Sequence, residues 1–420
     1  MNINFLKKNL IDRVFNVGEN PQRGYHIVDD FLCIPVLFFN IVGIEPYESV
    51  KKPSLAFKVF YTLNMINMAI AFITELAFMV ILFRDDENFL ESCIVVGYVS
   101  FVFVGVLKLF TGSIRKQKVT ILVRQLESCF PSSSEKDQEE YDVKTYLKRC
   151  NIFTKGFGGL LTIMCFAHFL IPISLYLVET YVLRSPDTKQ YLPFYELAPW
   201  DWHGGWKFYL TYLHQSIAGY TATCGSISCD IMIFAVVFQV IMHYERLAKV
   251  LREYKVRNHT EPNGAYHDMQ VLQSLVANHI DILRLTDVVN DVFGVPLLLN
   301  FMASSLLVCL VGFQLTVEFS PEYFFKQVLL LSSALVEIYL LCSFSQMVID
   351  ASADVSSAAY HMDWIQLDTK CRKMLLFICL RAQKPECLKA TIVLDLSIAT
   401  MSTFLGMSYK FFCAIQTMYQ

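Results

Sequence analysis

The sequence has little charge for its length. Asp, Glu, Lys and Arg make up 17% of the 420 residues, and hydrophobic residues make up 55%. A soluble domain has about 25% charged and about 45–50% apolar residues. The formal net charge is −3, and no long block of like charges occurs. We therefore expect neither nucleic-acid binding nor a charged tail.

Motifs of enzymes and metal sites are also missing. The sequence has no GxGxxG after a strand, no P-loop, no HExxH and no GxSxG. Its 13 cysteines show no CxxC spacing, which is the pattern that metal sites and redox motifs use. The first 30 residues lack an apolar core, so we expect no signal peptide and insertion directed by the first span. No enzymatic activity, cofactor or metal is expected.

The apolar residues occur in long blocks. A bilayer core about 30 Å thick requires about 20 apolar residues of helix. Because lipid offers no hydrogen bonds to an open backbone, each block is expected to be helical. The blocks predict an all-α polytopic membrane protein with seven transmembrane helices, at 57–83, 89–111, 154–178, 209–241, 290–316, 324–347 and 393–417. A shorter apolar stretch, 31–44, contains Pro35 and predicts an interfacial or re-entrant segment.

Lysine and arginine alternate between the connections. They are abundant in the N-terminal segment and in the 2–3, 4–5 and 6–7 connections. The other connections are sparse, and the 1–2 connection has Arg84 alone. The positive-inside rule then predicts a cytoplasmic N-terminus and an extracellular C-terminus. A glycosylation sequon at Asn258 opposes this sidedness, but it lies in a basic connection and we expect it to be unmodified.

Helices 4 to 6 are expected to extend beyond the membrane. No proline interrupts 207–254, and neither glycine nor proline interrupts 322–368. The inner ends of both segments keep apolar residues at helical spacing, as does 268–288, and such stripes need a covering partner. We predict a cytoplasmic anchor bundle from the inner ends of spans 4, 5 and 6 and the segment before span 7. Whether it is a subunit interface or a monomeric cap stays open.

Aromatic and small polar residues are concentrated in the outer halves of spans 2, 3, 4 and 6. Such surfaces are typical of a pocket for a small apolar ligand, although aromatic residues also face lipid or form the interfacial belt. For one residue alone the lipid-facing interpretation is favoured, whereas the set supports a pocket. The candidate ligand-binding residues are Tyr98, Phe101, Phe166, His168, Phe169, Tyr176, Tyr209, Tyr212, Ser216, Tyr220, Ser332 and Ser333.

Ionisable residues within the spans are few, and each one is a functional hypothesis by default. Lys108 lies near an inner helix end, where a lysine ammonium can snorkel to the interface. Glu75 and Glu337 are expected to pair with neighbouring helices and not to carry protons. The complete set is Glu75, Lys108, His168, Asp230, Glu337 and Lys410.

Span 7 has more polar character than the other spans. Phe412 and Gln416 lie one turn apart on one of its faces. A membrane helix with a partly polar face either packs against polar partners or lines water. In a pore, a hydrophobic ring such as that of Phe412 can gate by dewetting.

The last 80 residues contain four short motifs in a fairly specific order and spacing. They are Ala358-Ala359-Tyr360 followed by Trp364, Arg372-Lys373 before an apolar segment, Arg381-Ala382-Gln383-Lys384-Pro385, and Ser408-Tyr409-Lys410-Phe411-Phe412. Together they resemble the C-terminal region of insect odorant receptors. Val42-Gly43-Ile44-Glu45-Pro46 is similar to the short Gly- and Pro-containing element before the first span of that family.

The resemblance implies a tetrameric, ligand-gated, non-selective cation channel in the plasma membrane of olfactory sensory neurons. It implies a heterotetramer with a shared co-receptor subunit, a small volatile organic ligand and contact with membrane lipid. The ligand pocket would lie in the outer halves of spans 2, 3, 4 and 6, and Phe412 and Gln416 would face the pore. The short 4–5 connection resembles that of a tuning subunit, because the co-receptor carries a long insertion there.

The division of the chain follows from these expectations. It comprises a cytoplasmic N-terminal segment (1–56), spans 1–4 with pocket walls (57–241), an anchor part (242–289), spans 5–6 (290–347), a second anchor part (348–392) and pore-lining span 7 (393–420). The alternatives are a gustatory-type homomeric channel, which shares the topology, and a G-protein-coupled receptor. The second would need the opposite orientation, and DRY and NPxxY motifs are absent. A transporter should show inverted repeats, and none is visible.

Overall fold

A computed structural model describes residues 24–48, 53–84, 89–184, 190–194, 197–198, 200–202, 205–257, 262–317 and 321–419. The sequon at Asn258 lies outside these residues. Within them, seven helices are long and apolar enough to cross a membrane. Spans 1 to 7 are Leu55–Leu82, Phe89–Ile114, Val143–Leu177, Gly205–Glu253, Gly264–Val317, Pro321–His361 and Ile398–Tyr419. The predicted all-α class with seven spans is confirmed.

Shorter elements connect the spans. An N-terminal helix, Val28–Val42, precedes span 1, and Gly43 ends it with a φ of 90°, a left-handed conformation that glycine adopts without a Cβ clash. The remaining elements are helices Lys116–Cys129, Glu135–Glu140 and Thr369–Ala382, a π-helical turn Val178–Val182, a 3₁₀ turn Trp364–Gln366 and strands Lys389–Ala390 and Leu394–Asp395. The two strands form a small antiparallel hairpin, with Lys389 opposite Asp395.

Span 4 is the centre of the bundle. It packs against the N-terminal helix and against spans 1, 2, 3, 5 and 6. Every residue from Ile227 to Tyr244 is buried. A helix that is apolar around most of its circumference is buried in protein or in lipid, and the N-terminal helix and the other spans bury this one. The predicted re-entrant stretch 31–44 is mainly this N-terminal helix, whose Phe31, Leu32 and Phe39 are buried.

Spans 2 and 4 cross at very short distance. A Cβ on Gly105 would lie 2.8 Å from Cβ and 2.9 Å from the carbonyl oxygen of Ala222. One turn further along, a Cβ on Gly225 would lie 2.3 Å from Leu109 Cγ. Small residues permit this approach, because membrane helices gain their association energy from close packing. The crossing places residues of span 2 within reach of polar residues of span 4.

The long ends of spans 4, 5 and 6 pack together at the end of the bundle where the Lys- and Arg-rich connections lie, called here the basic end. The Tyr244 hydroxyl lies 3.3 Å from the Thr286 hydroxyl, which joins spans 4 and 5. Span 6 joins helix Thr369–Ala382 through the Ser356 hydroxyl, 3.3 Å from the Cys379 carbonyl oxygen. The segment 268–288 is part of one continuous helix with span 5, and the helix of span 6 ends at His361.

Span 7 is attached to the bundle along one side only. It packs against spans 5 and 6, and 11% of its most apolar stretch is buried, the smallest share among the described spans. Phe404 and Ser408 are buried on the attached side. Tyr409 and Phe411 are exposed. A large part of this helix is therefore left without a partner from the described residues.

Replacing Gly105 with Ala should destabilise the protein, because the new methyl group meets the backbone of Ala222. Overpacking of this kind costs about 1–3 kcal/mol. The matched control is Gly97→Ala on the same helix, where a Cβ would meet no described atom within 4 Å. The measurement is the melting temperature of the detergent-solubilised protein. Equal melting temperatures for the two variants would contradict the close crossing.

Candidate functional site

A cavity lies between spans 2, 3, 4 and 6, on the side of the bundle away from the basic end. The space free of atoms in and around it is about 640 Å³, including the part that is open to solvent. Its wall is mainly aromatic and aliphatic. The lining residues of this aromatic cavity are Tyr98, Phe101, Leu161, Met164, Cys165, His168, Phe169, Phe194, Thr223, Ser226, Ile227, Leu329, Leu330, Ser333 and Glu337.

The roof of the aromatic cavity comes from the 3–4 connection. Phe194 is buried, and its ring centroid lies 5.5 Å from that of Tyr98, 5.3 Å from that of His168 and 6.2 Å from that of Phe169. Edge-on and tilted ring pairs at these distances stabilise one another beyond their area of contact. Phe194 also lies against Gly219, where a Cβ would be 2.6 Å from its Cε2 atom.

Two buried polar side chains hold this roof in place. The backbone N–H of Phe194 donates to Gln215 Oε1 of span 4 at 3.0 Å. Lys326 Nζ of span 6 donates to the Leu192 carbonyl oxygen at 3.3 Å. Because both partners are backbone groups of the connection, these bonds fix the roof to spans 4 and 6.

Some predicted ligand-binding residues lie elsewhere. Phe166, Ser216 and Tyr220 line a second cavity, between the N-terminal helix and spans 1, 3 and 4, which Phe169 also reaches. This space holds about 880 Å³ including its wide opening. Of the predicted set, Tyr98, Phe101, His168, Phe169 and Ser333 come together around the aromatic cavity.

The remaining predicted residues line neither of these cavities. Tyr212 is buried, and its hydroxyl donates to the Phe169 carbonyl oxygen, so it supports the cavity wall from behind. Tyr209 is 67% exposed on the outer surface. Tyr176 is half-buried near the end of span 3. The Ser332 hydroxyl bonds back to the Val328 carbonyl oxygen of its own helix at 2.7 Å.

The floor of the aromatic cavity is a buried ion cluster. Lys108 Nζ of span 2 lies 2.9 Å from Asp230 Oδ1 of span 4 and 2.7 Å from Glu337 Oε1 of span 6. It also donates to the Ser226 hydroxyl at 2.9 Å. The side chains of Lys108 and Asp230 are 2% and 1% exposed. Removed from water, the ammonium is stabilised by both carboxylates and the hydroxyl, and each carboxylate is stabilised by the ammonium.

The prediction for Lys108 was wrong. Its side chain does not snorkel to an interface, because two carboxylates on neighbouring helices hold it in the interior. The predicted pairing of Glu337 with a neighbouring helix is confirmed by the same contact. The short crossing at Gly105 and Gly225 brings the lysine to its acidic partner.

Several residues that line the aromatic cavity were not predicted from the sequence. Phe194 belongs to a connection, and its position depends on the fold of that segment. Thr223 and Ser226 lie deeper along span 4 than the aromatic residues used to locate the pocket. The ion cluster at the floor could have been predicted from the sequence. Span 2 carries a lysine and spans 4 and 6 each carry a carboxylate, and charged residues within a membrane pair with one another.

The predicted gate residues lie on the half-buried side of span 7. The Phe412 side chain packs with Leu310 and Phe313 of span 5, and its ring is stacked with that of Tyr409 at 6.0 Å. Gln416 is half-buried one turn further along. In the single chain both residues are therefore at or near the contact with span 5.

Seven helices that are long and apolar enough to cross a membrane define the described part of the chain as a polytopic α-helical membrane protein. The profile of the 7tm Odorant receptor family matches residues 88–409, and the chain belongs to this family. It is 62% identical to Odorant receptor 67a of Drosophila melanogaster, over 96% of this chain and 100% of that protein. It is 36% identical to Odorant receptor 85c of the same species, over 93% and 99%.

A solved structure has the same fold. The insect olfactory receptor OR5 from Machilis hrabei, determined in complex with eugenol, matches with a TM-score of 0.76. The match covers 93% of this chain and 98% of that one, at 17% sequence identity. The chain is thus a multi-pass membrane protein with the insect olfactory receptor fold.

Replacing Lys108 with Met should destabilise the protein strongly, because two carboxylates then lose their counter-charge in the interior. Removing one partner of a buried ion pair costs about 3–5 kcal/mol. The melting temperature of the solubilised protein should fall and should recover when Asp230→Asn and Glu337→Gln are added. Lys410→Met, at an exposed position of span 7, is the matched control. An unchanged melting temperature for Lys108→Met would show that the cluster is not a structural requirement.

Proposed function

We propose that this chain is the odorant-specific, or tuning, subunit of a heteromeric odorant-gated non-selective cation channel. Its partner is the odorant receptor co-receptor, and its location is the plasma membrane of olfactory sensory neurons. The observation that carries the proposal is the aromatic cavity, roofed by Phe194 and enclosed by spans 2, 3, 4 and 6, in a chain of the odorant receptor family.

The ligand is a small hydrophobic volatile. Burial of apolar surface contributes about 25 cal/mol per Å² before the cost of ordering the ligand, and most of the cavity wall is apolar. His168 supplies a polar contact: it is buried, it lines the cavity, and its Nε2 atom has no hydrogen-bond partner among the described residues. A ligand with one hydrogen-bonding group and an otherwise apolar body fits this combination.

Gating follows a population shift. The ligand binds the open state more tightly than the closed state, and only this difference in affinity can bias the channel. Span 7 lines the pore, a role supported by its partly polar sequence and its extensive unpartnered surface. Phe412 and Gln416 are the proposed gate residues. Because both are half-buried against the bundle, a partial rotation of span 7 changes how far they reach into a pore.

The basic end of the bundle is cytoplasmic, with the N-terminus inside and the C-terminus outside. The positive-inside rule supports this sidedness. The packed ends of spans 4 to 6 and helix Thr369–Ala382 are then the cytoplasmic anchor, and they supply the contact between subunits.

Whole-cell current tests the proposal, with the chain expressed alone and with an insect co-receptor during an odorant-panel screen. We expect a prompt current in co-expressing cells, without a need for nucleotide, and with a ligand profile that the co-receptor alone does not give. Current from the chain alone would indicate a gustatory-type homomeric channel. Silence in both, with surface expression verified, would contradict the channel assignment.

Two variants locate the ligand in the same recordings. Tyr98→Ala removes a ring that lines the aromatic cavity and not the second cavity, and it should raise the half-maximal ligand concentration at least about tenfold, which corresponds to roughly 1.4 kcal/mol of lost contact. Tyr209→Ala removes an aromatic ring that is 67% exposed on the outer surface of span 4, and it should leave the response unchanged. Equal effects of the two substitutions would exclude the aromatic cavity as the binding site.

A further inference from the structure

The second cavity opens at the depth of the membrane. Three side chains that line it are exposed: Phe60 of span 1, Phe166 of span 3 and Ile217 of span 4. Each of these helices is long and apolar enough to cross a membrane, and all three residues lie within the apolar blocks that predict the spans. Lipid chains, and not water, therefore surround the mouth of this cavity.

The second cavity has the composition of a site for a small apolar ligand. Its wall is mainly apolar, as in most small-molecule sites. Two of its polar side chains donate to the backbone: Asn64 Nδ2 to the Val42 carbonyl oxygen at 3.4 Å, and the Thr221 hydroxyl to the Ile217 carbonyl oxygen at 2.8 Å. The Ser216 hydroxyl oxygen is buried and meets no hydrogen-bond partner among the described residues. Because a buried polar group without a partner is unfavourable, a ligand with one polar group would be stabilised here.

A layer of side chains from spans 3 and 4 separates the second cavity from the aromatic cavity. Phe169 lines both spaces. Tyr220 lines the second cavity and also packs against the cluster of Tyr98, Phe169 and Phe194 in the aromatic cavity. The ring centroid of Tyr220 lies 5.9 Å from that of Phe166. At Phe169, therefore, the two spaces are separated by one side chain.

This layer is held by weaker bonds than the roof and the floor of the aromatic cavity. The roof is fixed through two backbone groups of the 3–4 connection, and the floor is the ion cluster. Across the layer, the Cys165 thiol donates to the Thr223 hydroxyl at 3.4 Å, and a thiol is a weak donor. The Tyr220 hydroxyl is directed to a thiol of its own helix, and the Tyr212 hydroxyl holds the carbonyl oxygen of Phe169 and not its ring. Rotation of the two rings therefore opens the layer without the loss of a backbone hydrogen bond.

We propose that the second cavity is a lipid-side binding site for the hydrophobic ligand, and that the ligand passes from it into the aromatic cavity between Phe169 and Tyr220. The inference rests on the proposed function. A hydrophobic volatile leaves water for the apolar interior of the bilayer, where it meets the mouth of the second cavity at Phe60 and Ile217. The Ser216 hydroxyl bonds to the polar group of the ligand before the layer opens. The route sets the rates of entry and exit, whereas the aromatic cavity sets the affinity.

The time course of the ligand-evoked current tests this route, in the complex with the co-receptor and at ligand concentrations below half-maximal. Ile217→Trp narrows the mouth, and it should slow both the onset of current and its decay after washout about tenfold, as for roughly 1.4 kcal/mol of added barrier. The steady-state half-maximal ligand concentration should not change, because an obstacle on the route slows entry and exit equally. Phe60→Ala widens the mouth and should speed both processes. Leu213→Trp, at an exposed position one turn away on span 4 that lines neither cavity, is the matched control.

Other outcomes would overturn the route. Rates in both mouth variants that equal those of Leu213→Trp would show that the ligand enters elsewhere, such as from water beneath Phe194. A slower onset with an unchanged decay would raise the half-maximal concentration, and it would make Ile217 part of the site that activates the channel. If Ile217→Trp does not reach the surface, the faster rates expected of Phe60→Ala test the route by themselves. A wild-type complex without ligand-evoked current would instead refute the proposed function.

Discussion

The contact on which the bundle depends is the ammonium of Lys108 between two carboxylates. Three helices supply the three charges, and the cluster is buried at 2.9 and 2.7 Å. In a low-dielectric interior an isolated charge is expensive, whereas a paired and hydrogen-bonded charge is tolerated. The cluster therefore constrains the relative positions of spans 2, 4 and 6 at one depth. Such a constraint is specific in a way that apolar packing is not, because a shift of one helix by a single turn would leave a charge unpaired.

The aromatic cavity is a consequence of the same arrangement. Spans 2 and 4 approach closely at Gly105 and Gly225, and on the side away from the basic end the helices surround a space that side chains do not fill. Phe194 covers this space, and polar groups of spans 4 and 6 hold the roof. The cavity thus has mainly apolar walls, a roof held by hydrogen bonds and a charged floor. These properties suit a site that must respond to a small ligand with few contacts.

The sequence was sufficient for the fold and insufficient for parts of the site. Long apolar blocks specify helices wherever the solvent is lipid, so all seven spans were predictable. The uninterrupted segment 207–254 agrees with the helix Gly205–Glu253 to within two residues at each end. Each strand of the hairpin has two residues, which are too few to show the alternation of apolar and polar residues that identifies a strand. The prediction that Lys108 snorkels rested on its distance from a helix end. That distance contains no information about partners on other helices. Phe194 was missed for the same reason: which loop residue turns inward is decided by contacts such as that with Gln215, which periodicity does not contain.

The most direct test is a density map of the receptor with its co-receptor and a ligand that evokes current. We expect ligand density in the aromatic cavity, in contact with Phe169 and beneath Phe194, above the Lys108–Glu337 contact. Density confined to the second cavity, beside Tyr220 and Asn64, with the aromatic cavity empty, would contradict it.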